Sequence, residues 1–253
     1  QSECSGIPSV TKEIRNHQIP DFVEYTGKGS GVSFVQCGTS ELNQTVRQIY
    51  EEIGGKADDY SVQILCPTKT GLGGTHQINQ VWHDCYRNGA EKVSCFDLYG
   101  NHGVVLAATR QSVTLCVGDL VMFTENNQEL GLRNGSLGKV VTALKVRNAQ
   151  SACCIVKWDD GRQLPLTSNH ICALTHAYGL TVHKAQGSQF NRVIIPIRQS
   201  RLLDQALIYT AATRGTEQVV FVGDQGAAIA AIQRPSTGYQ RHVGLRRLLQ
   251  RYN

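Results

Sequence analysis

One short polar segment brings together side chains that are able to hold an anion. Residues 181–190, TVHKAQGSQF, combine the hydroxyl of Thr181, the imidazole of His183 and the ammonium of Lys184 with a glycine-serine-glutamine turn. The segment is too polar for a buried strand and too irregular for an amphipathic helix. It directly precedes the apolar pattern RVIIPIR, so it lies where the loops of an α/β sheet meet ligands. We interpret it as a functional loop.

A second candidate is the arginine at the end of the segment ALIYTAATRG. Arg214 follows a predicted helix, and a cation at the C-terminus of a helix interacts favourably with the helix dipole. Its guanidinium is also suited to reach a phosphate that another domain holds. The pattern of residues alone leaves both roles open.

Glycine-rich stretches that resemble phosphate-binding loops are incomplete. The pattern G-x-x-x-x-G-K-[ST] does not occur in the sequence. YTGKGSG at 25–31 and GLGGTH at 71–76 come nearest, and both lack the lysine-hydroxyl pair in register. GDQG at 223–226 lies between a strand pattern and a helix pattern, where we favour an ordinary tight turn over a phosphate site. The chain therefore has no complete nucleoside triphosphate site of its own.

Composition sets the class of protein. The 253 residues are 41% hydrophobic, which predicts one large domain or one domain with an insertion. The net charge of +5 is compatible with an anionic partner. No apolar run reaches 18 residues and no secretory signal opens the chain, so we expect a cytoplasmic protein without a membrane span. Because the chain begins without an initiator methionine, we expect a fragment of a longer protein.

The nine cysteines predict buried thiols in a reducing compartment. They form no pair of CxxC motifs at zinc-ribbon spacing. The alternative metal ligands are the HDC sequence at 83–85 with Cys95, and the adjacent Cys153 and Cys154. We favour no metal site.

Hydrophobic periodicity predicts an α/β domain interrupted by short strands. Strand and helix patterns alternate in two parts of the chain: helix 9–18 with a serine cap, strand 31–37, helix 39–55, strand 60–68 and a helix after GLGG, then strand 192–198, helix 203–215, strand 218–224 and helix 225–234. Between 113 and 172 lie closely spaced β-type segments with turns at RNGS and DDGR. This order predicts a parallel sheet with a small β-barrel inserted into it.

Four stretches resemble superfamily 1 DNA helicases of the RecD and TraA type, and a fifth, SECSGIPSVTKEIRNHQIP, resembles the helix that follows motif III in these enzymes. AYGLTVHKAQGSQFNRVIIPI is similar to motif V and LDQALIYTAATRGTEQVVFVGD to motif VI. VQILCPTKTGLGGTHQIN is similar to the motif IV region, and VGDLVMFTENNQELGLRNGSLGKVV to the start of the SH3-like barrel. The motifs follow family order and cover essentially the whole chain.

The resemblance implies the second RecA-like domain of a two-domain motor. The fold class is then α/β, with a RecA-like, P-loop NTPase-type parallel sheet that lacks its own P-loop, and a small inserted SH3-like β-barrel. The implied divisions are a helical and linking segment at 1–58, the first part of the RecA-like domain at 59–113, the barrel at 114–172 and the second part of the domain at 173–253.

The same resemblance assigns the candidate site residues. It implies that Arg214 is an arginine finger and that Lys69 of motif IV contacts the same γ-phosphate. The motif V turn of Gly187, Ser188 and Gln189 would bind nucleotide, with a glutamine where the family commonly has glutamate. The backbone of DNA would contact the following three side chains: Thr181, His183 and Lys184.

The implied function is the C-terminal motor domain of an ATP-dependent helicase that moves 5′ to 3′. ATP and Mg²⁺ would be cofactors of the parent enzyme, and this fragment alone would bind neither tightly. Its partners would be single-stranded DNA, the N-terminal RecA-like domain of the same chain, and a recombination or conjugation complex. The alternative is an inactive helicase copy that serves as a DNA- or protein-binding module.

Overall fold

Two five-stranded sheets and one two-stranded sheet organise the chain, which the computed structural model describes over residues 6–96, 102–103, 114–148 and 150–234. The strands, in chain order, are β1 (Gly31–Gln36), β2 (Val62–Cys66), β3 (Cys95–Phe96), β4 (His102–Gly103), β5 (Leu120–Phe123), β6 (Leu137–Ala143), β7 (Ala152–Trp158), β8 (Gln163–Thr167), β9 (Leu174–His176), β10 (Gly179–Thr181), β11 (Phe190–Ile197) and β12 (Gly215–Gly223). The α-helices are α1 (Ile7–Arg15), α2 (Leu42–Glu52), α3 (Thr75–Tyr86), α4 (Ser168–Ile171), α5 (Gln205–Ala212) and α6 (Gln225–Gln233).

The main sheet is parallel and has five strands in the spatial order β1–β12–β11–β2–β10. All five residues of β2 are buried, as expected for a strand that helices cover on both faces. One buried cluster joins the sheet to α1, α5 and α6, and a second joins it to α2 and α3. The predicted α/β fold with a parallel sheet is confirmed.

The boundary that the resemblance implies at residue 59 differs from the observed sheet. Strand β1 pairs in parallel with β12 and is therefore the edge strand of the main sheet. Helix α2 packs on the same sheet through Leu42 and Val46. Residues 31–52 thus belong to the sheet domain and do not form a linking segment.

The first helix begins earlier than the sequence pattern predicts. Helix α1 starts at Ile7 after Gly6, whose φ of 67° is left-handed, and Pro8 lies in the first turn. The predicted serine cap is therefore wrong, since Ser9 already lies inside the helix. Proline at this position costs no hydrogen bond and has the φ that a helix needs.

The insertion contains a five-stranded antiparallel sheet in the order β8–β7–β6–β5–β9. The RNGS and DDGR turns join β5 to β6 and β7 to β8, as predicted. Strands β8 and β9 pair on one side only within the described residues, so closure into an SH3-like barrel stays a prediction.

The insertion is fixed to the main sheet by a partly buried tyrosine. The Tyr60 hydroxyl, just before β2, lies 2.9 Å from the carbonyl oxygen of Val121 and 2.8 Å from that of Gly138. These two carbonyls belong to the hairpin of β5 and β6. The hairpin is therefore held directly against the amino end of β2.

Among the described residues, no helix has the length and apolarity needed to cross a bilayer. The GDQG turn is an ordinary capped helix start, because the Asp224 carboxylate accepts the Ala227 N–H at 3.0 Å. That carboxylate occupies the place that a phosphate would take. Gly223 has a φ of 128°, and a Cβ there would lie 2.0 Å from the Ile197 carbonyl oxygen, so only glycine fits.

Candidate functional site

A basic cleft opens at the carboxyl edge of the main sheet, where β2, β10 and β11 end. Its volume is about 1070 Å³. Five of the side chains that line it are basic: Lys69, His183, Lys184, Arg198 and Arg201. The carboxylate of Asp204 also lines the cleft, but it caps α5 by accepting the Leu207 N–H at 2.8 Å. The cleft therefore carries a net positive charge suited to an anionic ligand.

The first half of the TVHKAQGSQF segment forms one wall of this cleft. Strand β10 ends at Thr181, whose carbonyl oxygen accepts the N–H groups of Lys184 at 2.9 Å and Ala185 at 3.1 Å. Val182 and Ala185 are buried and anchor the turn, whereas His183 is exposed. Thr181, His183 and Lys184 all line the cleft, so the structure brings together the three predicted DNA-binding residues.

The insertion reaches the same wall. The Lys184 ammonium donates a hydrogen bond to the side-chain oxygen of Asn134, which lies in the turn between β5 and β6. Arg133, the neighbouring residue in this turn, is exposed. The β5–β6 turn therefore adjoins the cleft.

The loop after β2 also lines the cleft and carries Lys69, which is exposed. Arg198, the first residue after β11, holds this loop by donating to the Thr70 carbonyl oxygen at 2.9 Å. Gly71 has a φ of 79°, and a Cβ there would lie 2.8 Å from the Arg198 guanidinium. A glycine is therefore required where the loop passes over this arginine.

Sequence reasoning missed Arg198 and Arg201 as cleft residues. Both belong to the RQSRL stretch at 198–202, between the segments similar to motifs V and VI. The available signal was a basic residue directly after a buried parallel strand, at the edge where ligands bind.

The second half of the polar segment lies at the opposite, amino edge of the sheet. Gly187, Ser188 and Gln189 directly precede β11, and Arg214 directly precedes β12. The Phe190 N–H donates to the Arg214 carbonyl oxygen at 2.9 Å, which places the two strand starts side by side. The structure therefore brings together Arg214 and the predicted nucleotide-binding turn.

The Arg214 guanidinium is braced by neutral oxygens. It donates to the carbonyl oxygens of Thr210 at 3.1 Å and Ser188 at 3.4 Å, and to the Thr213 hydroxyl at 3.1 Å. In the described part of the chain, no carboxylate lies within ion-pair distance of it. Its charge is thus positioned but not neutralised, as a phosphate-binding arginine requires.

The structure does not bring Lys69 next to Arg214. Lys69 follows the carboxyl end of β2, and Arg214 precedes the amino end of β12. Strand β11 has eight residues between these edges, which corresponds to about 25 Å. Lys69 instead shares the cleft with the three predicted DNA-binding residues.

A buried carboxylate joins the insertion to the main sheet. Asp119, just before β5, has no exposed surface. Its Oδ1 atom accepts the Tyr178 hydroxyl at 2.6 Å and lies 2.9 Å from His83 Nδ1. His176 Nε2 lies 3.1 Å from the Oδ2 atom. The chain therefore leaves and re-enters the main domain through one polar cluster, to which α3 contributes His83.

The same cluster contains a set of possible metal ligands. Ligand atoms of His83, Cys116 and Asp119 lie within 4.8 Å of one another. However, the Cys116 N–H also donates to Asp119 Oδ2 at 2.7 Å, and Arg87 Nε lies 3.7 Å from Oδ1. The Asp119 carboxylate is thus saturated by hydrogen bonds and already lies next to a cation. These residues therefore fit a hydrogen-bonded cluster better than a metal site.

Parts of the chain are similar in sequence to known helicases. A family model described as the UvrD-like helicase C-terminal domain matches residues 176–222, which include every predicted site residue except Lys69. The ATP-dependent RecD2 DNA helicase of Deinococcus radiodurans is 28% identical over 184 residues, or 72% of this chain and 22% of that protein. The conjugal transfer protein TraA of Rhizobium radiobacter is 35% identical over 102 residues, or 40% of this chain and 9% of that protein. The chain is therefore similar, over part of its length, to RecD and TraA proteins.

A solved helicase structure has a similar fold. The crystal structure of Pif1 helicase from Bacteroides in complex with ADP-AlF3 and ssDNA superposes with a TM-score of 0.51 at 17% identity. The match covers 97% of this chain and 54% of that one. The chain therefore spans only part of the helicases it resembles.

Proposed function

We propose that this chain is the C-terminal motor region of an ATP-dependent DNA helicase that moves 5′ to 3′ along single-stranded DNA. The strand would bind in the carboxyl-edge cleft. The amino edge would complete an ATP site whose other half belongs to an N-terminal RecA-like domain of the same parent protein. The names of the relatives support this function, since they include a DNA helicase and a helicase in complex with a nucleotide analogue and ssDNA.

The observation that carries the proposal is the path of residues 182–189. They leave β10 at the carboxyl edge, beside the basic cleft, and enter β11 at the amino edge, beside Arg214. A change at either edge is therefore transmitted to the other through eight residues. In this way, the nucleotide bound at the amino edge is coupled to the affinity of the cleft for DNA.

On the DNA side, the cleft offers cations and a hydroxyl. Groups of this kind bind phosphates and do not read bases, which suits a protein that must move along any sequence. We assign Lys69 to DNA binding, together with Thr181, His183 and Lys184, because all four line one cleft. This assignment replaces the nucleotide role that the family motif implies for Lys69.

On the nucleotide side, Arg214 supplies an unneutralised guanidinium beside the turn of Gly187, Ser188 and Gln189. Bound ATP with Mg²⁺ would supply the phosphoryl group that water attacks. Arg214 would stabilise the charge that develops on that group. Without the other RecA-like domain, this chain would lack the P-loop lysine and acidic residues, so we expect no hydrolysis by it alone.

Gly187→Ala in the full-length helicase tests the coupling. Gly187 has a φ of 90°, and a Cβ there would meet no atom within 4 Å, so alanine disturbs only the backbone conformation. This strain costs about 1–2 kcal/mol. We expect the stimulation of ATP hydrolysis by ssDNA to fall about fivefold, with DNA affinity measured without nucleotide unchanged.

A matched control is Gly161→Ala. Gly161 lies in the β7–β8 turn, has a φ of 85°, and is equally open. This variant should retain full stimulation. Equal stimulation in the Gly187 variant and the wild type, at saturating DNA, would refute the coupling path. A wild-type parent that binds ssDNA but never hydrolyses ATP would favour the alternative, an inactive helicase copy.

A further inference from the structure

The turn after β11 presents an apolar side chain to the basic cleft. Leu202 is 67% exposed and lines the cleft. The other large hydrophobic side chains with comparable exposure in the described ranges are Ile19 at 45% and Val23 at 54%, and neither lines it. The position of Leu202 therefore sets it apart from scattered surface hydrophobics.

Neighbouring contacts hold Leu202 in this position. Its N–H donates to the Ser200 hydroxyl oxygen at 3.2 Å, and the Leu203 N–H donates to the Ser200 carbonyl oxygen at 3.3 Å. Leu203 is buried, and Asp204 caps α5. Because both sides of the turn are fixed, the side chain of Leu202 has no route into the core.

The surroundings of Leu202 match the chemistry of a nucleic acid strand. Arg201 is exposed, and Arg198 and Lys69 line the same cleft. A single strand presents phosphates on one side and unpaired base faces on the other, and apolar side chains pack against those faces whatever the sequence. A protein partner that matched only the apolar side chain would leave these cations unpaired.

We propose that the turn at 198–203 is a further element that contacts single-stranded DNA. Leu202 packs against a base face, and Arg201 contacts a neighbouring phosphate. Neither residue lies in the segments similar to motifs V and VI. This inference rests on the proposed DNA binding in the cleft, and it adds a base contact to a surface otherwise made of phosphate contacts.

The test compares variants of the 253-residue chain in fluorescence anisotropy titrations. The ligands are a single-stranded oligonucleotide and the same oligonucleotide with abasic sites. Leu202→Ala should weaken binding to the ordinary strand about fivefold and leave binding to the abasic strand unchanged. Ile19→Ala with Val23→Ala, which also removes exposed apolar surface, should change neither. Arg201→Ala should weaken binding to both strands and lower the slope of log K against log salt by about 0.7.

The outcomes separate this inference from the proposed function. If wild-type chain binds ssDNA with a clear salt dependence while Leu202→Ala binds both strands like wild type, the base contact is refuted and cleft binding stands. Leu202 would then face another occupant, such as the N-terminal domain. If the wild-type chain does not bind ssDNA at all, the proposed DNA binding in the cleft is itself refuted, and the base contact with it.

Discussion

Replacing Arg214 with alanine in the proposed full-length helicase is expected to lower ATP hydrolysis by about three orders of magnitude. The guanidinium is held at the amino edge by three neutral oxygens, from Thr210, Ser188 and Thr213. In the described chain no carboxylate neutralises it, so its full charge is available to a phosphoryl group. Alanine removes both the charge and the donors.

Two further variants make this experiment specific. Arg214→Lys keeps the charge but loses the planar fork, so we expect only partial recovery of hydrolysis. Arg162→Ala removes an arginine that pairs with Asp160 on the insertion, and hydrolysis should stay at the wild-type level. Because Arg214 does not line the cleft, ssDNA affinity measured without nucleotide should survive in Arg214→Ala. Unchanged hydrolysis in that variant would exclude the arginine-finger role.

Asp119→Ala is expected to lower the free energy of unfolding by about 3–5 kcal/mol. The carboxylate is fully buried and is the shared acceptor for His83, His176 and Tyr178. Its loss leaves these donors and the Arg87 cation without their partner in the interior. Chemical denaturation of the chain at neutral pH measures the effect.

The same carboxylate gives a dependence on pH. Burial acts to raise the pKa of Asp119, but hydrogen bonds from His176 and His83 outweigh it, and the pKa lies well below its usual range. A depressed folded-state pKa contributes stability that is fully present above the unfolded value of about 3.9. We therefore expect wild-type stability to fall as the pH drops below about 4, and Asp119→Asn to show a weaker fall.

Asp160→Ala is the control for both experiments on Asp119. Asp160 lies in an exposed turn and pairs with Arg162. Its removal should leave the denaturation midpoint close to that of the wild type, since exposed ion pairs contribute little. If Asp119→Ala were as stable as this control, the buried cluster would not anchor the insertion.

The order of helices and strands can be predicted from the sequence because burial of an element gives a simple pattern of apolar residues. Parallel strands covered on both faces read as apolar runs, as in VQILC and RVIIPI, and turns such as RNGS join antiparallel strands. Strand β1 could be predicted as a strand in the same way, but not as the partner of β12. That pairing joins residues about 190 positions apart, which no local pattern encodes.

The site is predictable only in part for a similar reason. Motif resemblance selects the segment at 181–190 and Arg214. As expected, the structure places the first half of this segment at the cleft and the second half beside Arg214. The motif assigns Lys69 to the nucleotide without regard to its position directly after a strand, which in a parallel sheet lies at the carboxyl edge, whereas Arg214 directly precedes a strand. Arg198, Arg201 and Leu202 line the cleft from the turn between β11 and α5, outside the segments that resemble motifs V and VI. Asp119 is a single acidic residue within an apolar stretch, so no sequence pattern indicates its buried cluster.

In our proposal, the carboxyl-edge cleft binds single-stranded DNA through phosphates. The most direct measurement is the salt dependence of ssDNA affinity for the 253-residue chain and for a variant with both Lys69→Ala and Lys184→Ala. We expect this variant to bind at least tenfold more weakly at low salt and to lower the slope of log K against log salt by about 1.4. The charge-matched variant with Lys28→Ala and Lys56→Ala, both exposed and outside the cleft, should bind like the wild type. Equal affinity and equal slope for the two double variants would contradict the claim.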